Sequence, residues 1–152
     1  MTRDEIMFEV QEAFAGIPRP TMFIRGTCQC QECLEHEQVM QSFTLSDMPL
    51  DKLDNPGWDP ICFASDKAFA YLIPGLVRLV LYHTDEYIQQ FLFHLENSER
   101  IALFTRPQAT ALLHVLDFLV LNEAKALDKN LAVDELNRTR EKLEPVAAPD
   151  RR

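Results

Sequence analysis

The sequence predicts an all-α, single-domain protein, and three observations carry that expectation. Apolar residues recur at helical spacing through most of the chain. Two segments open with a capping box. Only four glycines stand against ten phenylalanines in 152 residues, which points to helices around an aromatic-rich core. This length suits one domain that buries a core without staples. The expected organisation is a bundle of about five to six helices over 1–144, with a proline-rich loop region, a kinked central helix and a flexible tail over 145–152.

The elements follow in order. Thr2 with Glu5 fits a capping box, and Ile6, Val10, Ala13 and Phe14 repeat at helical spacing until Gly16 and Pro18 stop the helix. Thr21 to Gly26 reads as an irregular or short extended piece. From Glu32 to Phe43 the positions of Cys33, Leu34, Glu37, Val39, Met40 and Phe43 read as a second helix. Pro49, Pro56, Gly57 and Pro60 then interrupt any long period, leaving a helical turn at Pro49 to Leu53 and a loop around Trp58. Trp58 is expected to anchor that loop by packing.

The strongest stripe follows. Phe69, Leu72, Ile73, Leu76, Val77, Val80 and Leu81 share one helical face, and Ser65 or Asp66 can cap the start. Pro74 removes a backbone hydrogen bond inside this pattern, so a kink or break is expected there. Thr84 or Asp85 opens a shorter helix bearing Ile88, Phe91, Leu92 and Leu95, which Asn97 and Ser98 end. Thr105 and Gln108 form the second capping box, with Pro107 in the first turn of a helix that runs to about Leu127. Asp128 to Leu143, with Leu131, Leu136 and Leu143, reads as a peripheral amphipathic helix.

Composition narrows the function. A net charge of -9 repels a phosphate backbone, so nucleic acid is not expected as a partner. The most apolar segment, between Lys67 and Arg78, is too short to span a bilayer, and no membrane partner is expected. The amino terminus opens directly into an amphipathic pattern without the apolar core of a signal peptide, so the expected location is cytoplasmic. In that compartment clustered cysteines are reduced, metal-binding or redox-active more often than they are disulfides.

Three of the four cysteines and one of the four histidines fall within nine residues, Cys28 to His36. Cys28, Cys30 and Cys33 supply three zinc ligands at spacings that leave little loop entropy to lose. His36, one turn after Cys33, can complete the tetrahedron, and Cys62 from the proline-rich loop competes for that position. With four protein ligands such a zinc is structural. A redox reading uses Cys30 and Cys33 near a helix amino terminus, but the βαβ alternation that accompanies such sites is missing. His114 and Asp117 at i, i+3 could make a base and its orienting acid, but such a pair is more often a solvated surface contact. His83 and His94 fit helix ends, where the dipole favours them, and Glu32, Glu35 and Glu37 read as a solvated face.

Three short motifs resemble a family of small bacterial proteins of unknown function: Trp58-Asp-Pro60, Asp66 to Pro74 with its Tyr-Leu-x-Pro ending, and Phe104-Thr-Arg-Pro-Gln108 with its Thr-x-x-Gln start. The resemblance spans about residues 8–125 and implies a helical fold, with no established activity or functional residue. The expected function is therefore a binding or regulatory module with a structural zinc, partnered by another protein. A thiol- or metal-dependent enzyme using the Cys28–Cys33 cluster is the alternative. A third reading is an acidic immunity-type protein that neutralises a basic toxin.

Overall fold

The computed structural model describes residues 1–149, an all-α fold with no β-strand among them. The eight helices are α1 (Arg3–Phe14), α2 (Gln31–Gln41), α3 (Asp66–Tyr82), α4 (Thr84–Leu95), α5 (Ser98–Ile101), α6 (Arg106–Asn122), α7 (Ala124–Lys129) and α8 (Val133–Ala147). Single 3-10 turns, Leu50–Lys52 and Pro60–Phe63, punctuate the proline-rich stretch. Both capping boxes form: Glu5 N and Gln108 N donate to the hydroxyls of Thr2 and Thr105, and the Glu5 and Gln108 side chains accept from the cap amides.

α3 contributes the most buried residues of any helix. Its stripe is buried throughout, and it packs against α1 and α4, while α6 bridges α1 and α8. Each such Leu or Ile side chain contributes about 1.5–3 kcal/mol by leaving water. The helix is not broken at Pro74, because Pro74 and its flanking residues are themselves held in the core. Gly75 leaves a gap that Met48 of the preceding loop fills: a Cβ there would stand 2.0 Å from the Met48 sulfur.

The carboxy-terminal half departs from the expected count of helices. Asn97 does not merely end α4; its side chain accepts from Glu99 N and Arg100 N and so starts the short α5. Glu123 leaves helical geometry and divides the late helix into α6 and α7. α8 is not peripheral, because Leu136 and Leu143 are fully buried against the body while Arg138 and Lys142 bond Glu96. Leu131, expected on that apolar face, is instead exposed at a left-handed turn with φ 53°. The expected tail is also shortened at its start, since α8 continues through Pro145 to Ala147; residues 150–152 lie outside the described part.

Candidate metal centre

The cysteine segment hangs from a small backbone frame. Phe23 N and Ile24 N donate to the Glu37 carboxylate of α2, at 3.0 and 2.8 Å, so Glu37 is a clamp and not part of a solvated face. Across the frame, Arg25 N donates to Phe63 O and Ser65 N to Phe23 O, which pairs residues 23–25 with 63–65 around an isolated bridge. Gly26, at φ +75°, then turns the chain into the thiol segment.

Cys30 caps α2, its sulfur accepting from Cys33 N at 3.4 Å. The Cys28 and Cys30 sulfurs lie 3.3 Å apart, and all three sulfurs stand within 4.8 Å of one another. Cys28 and Cys30 are exposed, whereas Cys33 is buried on the inner side of α2; none forms a disulfide. The cluster sits at a helix amino terminus, where the backbone dipole favours thiolates. The Cys28 thiol is held below the ordinary thiol range, first by a hydrogen bond from Cys33 and then by the Cys30 amide. Cys33, which donates to its two neighbours, is pushed up to about 12. Three sulfurs sharing protons in this way form a set that can hold a soft divalent ion in their place.

Neither expected fourth ligand joins the three sulfurs. His36 is fully buried on α2, packed between Trp58 and Phe63, and neither of its ring nitrogens has a hydrogen-bond partner. Trp58 thus anchors its loop by packing, through a contact with an imidazole. Cys62 is drawn elsewhere, into a second cluster with Asp59 and His94. There His94 Nε2 lies 2.5 Å from Asp59 Oδ2, and Gln90 Nε2 donates to the same oxygen at 2.6 Å. His94 is therefore a buried partner of Asp59 and no mere dipole contact at a helix end.

Asp59 carried no functional signal in the sequence. It is the amino-terminal cap of the Pro60–Phe63 turn, its Oδ1 accepting from Ile61 N at 2.9 Å. The one available hint was an Asp directly before a proline, a capping signature. Burial, followed by the Asp59 charge, raises the Cys62 thiol above its ordinary value. Beside Cys62 and His94 opens a cleft of about 420 Å³ that is also lined by Arg25, Arg100 and Lys142.

The expected His114–Asp117 pair does not form. His114 Nδ1 meets Glu9 of α1 at 2.8 Å, and Asp117 pairs with Arg140 of α8 at 2.6 Å. Among the described residues no helix is long and apolar enough to cross a membrane. Comparison with known protein families, with curated proteins and with solved structures finds no match.

Proposed function

We propose that the protein is a cytoplasmic binding or regulatory module in which Cys28, Cys30 and Cys33 hold a structural zinc ion, and that its partner is another protein. The observation that carries the reading is the convergence of three sulfurs within 4.8 Å at the start of α2. His36 is the residue to complete the tetrahedron. It lies one helical turn from Cys33, on the same helix, with no hydrogen bond to either ring nitrogen and only Glu32 Oε1 near Nε2, at 3.5 Å; to reach the sulfurs its ring must turn out of the Trp58–Phe63 stack. Cys62 drops out of this role because Asp59 and His94 occupy its surroundings. An acidic net charge of -9 favours a basic protein surface as the partner. Membership of the small bacterial family with the Tyr-Leu-x-Pro helix belongs to the same proposal.

The test is elemental analysis of protein purified without chelator, combined with thiol titration before and after denaturation. Stoichiometric zinc, released with Cys28, Cys30 and Cys33 on unfolding, is the expected result. Fast-reacting thiols in native protein free of metal would overturn it. For the partner, affinity capture at low salt should recover one protein in stoichiometric amount, and recovery of none would count against the module reading.

A further inference from the structure

Asp59, Cys62 and His94 place a carboxylate, a thiol and an imidazole within 4.8 Å of one another, outside the three-cysteine cluster. The chain brings them there from two elements. Asp59 caps the Pro60–Phe63 turn, Cys62 lies within it, and His94 arrives from the last turn of α4. Asp59 and His94 are 2% and 3% exposed, while Cys62 is half-buried and forms part of the cleft wall. We propose that these three residues bind one zinc-class divalent ion whose fourth position opens on the cleft, and that this position takes an oxyanion.

The donor set suits the ion. Thiolate, imidazole and carboxylate are the three side-chain types that zinc accepts, and three protein ligands with one open position is the arrangement of reactive zinc sites. The charges also balance, since a thiolate and a carboxylate neutralise a dication and the imidazole stays neutral. Binding releases the Cys62 thiol proton to solvent and leaves one proton on the ring nitrogen turned away from the ion. The Asp59–His94 separation must widen from 2.5 Å. The new value is roughly 3.3 Å, the spacing of two tetrahedral ligands each about 2.0 Å from zinc.

The surroundings are built to hold these ligands. Asp59 Oδ1 is fixed by the Ile61 amide, and Oδ2 is approached by Gln90. Arg25 donates to Cys62 O, and the buried Arg100 donates to Ala64 O at 2.9 Å and Ile61 O at 3.3 Å. The turn bearing Cys62 is thereby pinned from two directions, as supporting hydrogen bonds around metal ligands require. Tyr87 lies on the same face of α4 as Gln90 and His94, at i, i+3 and i+7, and its fully buried hydroxyl has no partner. A plain Asp–His pair would account for Asp59 and His94, but not for a thiol beside them or for three cations around the cleft. Those cations select the ligand: with the ion and its two anionic donors neutralised, and with Glu96 of the same lining offset by its partner Lys142, Arg25 and Arg100 leave the cleft positive in an otherwise acidic protein.

The test uses the full chain, stripped of metal and titrated with zinc alone against a chromophoric chelator. Wild-type protein is expected to bind two equivalents and Cys62→Ala one. Asp59→Asn, which keeps an oxygen for the Ile61 amide, should weaken that second equivalent at least tenfold, with circular dichroism confirming the fold. A single equivalent that Cys62→Ala leaves intact overturns this site and spares the three-cysteine one. A single equivalent lost in Cys62→Ala but kept in Cys28→Ser does the reverse. No uptake overturns both, and rapid alkylation of Cys62 in such protein would reassign Asp59, His94 and Cys62 as a thiol nucleophile with its base. For the open position, cobalt replaces zinc in the Cys28→Ser/Cys30→Ser variant, and inorganic phosphate or acetate is added. A visible-band shift with phosphate alone assigns a phosphate ligand, and one with acetate alone a carboxylate. A shift with both assigns oxyanions in general, whereas none overturns the open position. Lys142→Gln, which leaves the bonds that pin the Cys62 turn in place, should raise the half-saturating anion concentration about tenfold with metal stoichiometry unchanged.

Discussion

The imidazole of His36 stacks on the ring of Phe63, with centroids 4.1 Å apart and planes within 21°. This contact spends a buried polar ring largely on packing, since neither nitrogen is hydrogen-bonded and Nε2 only approaches Glu32 Oε1, at 3.5 Å. An unsatisfied buried polar group costs about 1–3 kcal/mol. His36→Phe should therefore stabilise the metal-free protein by about 1 kcal/mol in urea unfolding. In zinc titrations the same variant should bind at least about tenfold more weakly, the smallest loss expected when even a supporting group is removed. An unchanged zinc affinity would leave the ion with three protein ligands only.

Zinc removal should be visible in thermal unfolding. At about 1,000 times its Kd a ligand adds about 4 kcal/mol, which for a chain of this size corresponds to roughly 8–16 °C in Tm. A strong chelator should lower the wild-type Tm by about that much. In a Cys62→Ala background, which removes the Asp59–Cys62–His94 site, Cys33→Ala should start near the lower value and respond little to chelator. A double variant that still loses 8 °C or more on chelation would place the stabilising ion elsewhere.

Asp59 has more to lose than a charge. Asp59→Ala removes the cap of the Pro60–Phe63 turn and strands Gln90 and His94 inside the protein. The cost should be about 3 kcal/mol in denaturant unfolding of metal-free protein. Asp59→Asn keeps one acceptor oxygen, for the Ile61 amide, and should cost less than Asp59→Ala. Equal losses would show that the carboxylate charge, and not the hydrogen bonds, holds this corner together.

How far these features can be read from the sequence follows from their range. The capping boxes at Thr2 and Thr105 and the stripe of α3 are local patterns, and each is present in the fold. The three-sulfur cluster is equally local, because its members lie five residues apart at most. What local pattern could not supply is partner choice across the fold. His94 meets Asp59 from 35 residues away, and His114 finds Glu9 over 105 residues in place of Asp117 one turn off. Glu37 looked solvated because helical spacing says nothing about the loop that comes back to it. The run through Pro145 to Ala147 was hidden for another reason: the α8 residues before it are mostly polar, and the burial of Leu136 and Leu143 outweighs the proline.

Alkaline pH provides a separate handle. Burial raises the Tyr87 hydroxyl well above its ordinary value, and the charges of Asp59 and Cys62 add to that. The folded state therefore keeps Tyr87 neutral where the unfolded chain begins to ionise, near pH 10. Stability is unaffected below that pH and falls as pH rises above it. Tyr87→Phe should be as stable as wild type or up to about 1 kcal/mol more so at pH 7, because the deleted hydroxyl has no partner. It should also lose less stability between pH 9 and 11, measured by urea unfolding at each pH. A parallel decline in both proteins would remove Tyr87 as the source.

The pairing of residues 23–25 with 63–65 joins two places that the sequence keeps 34 residues apart, Cys28 and Cys62. The His36–Phe63 stack reinforces the junction from the helix side. Order imposed on the segment 28–36 is thus transmitted to the turn that carries Cys62, through a frame of backbone hydrogen bonds with few soft joints. In thermodynamic terms the frame predicts a coupling free energy between the two ends. Whatever binds at one end alters affinity at the other by the same factor in either direction. A zinc titration of the wild-type chain should then deviate from two independent sites, and Phe63→Ala should restore independence.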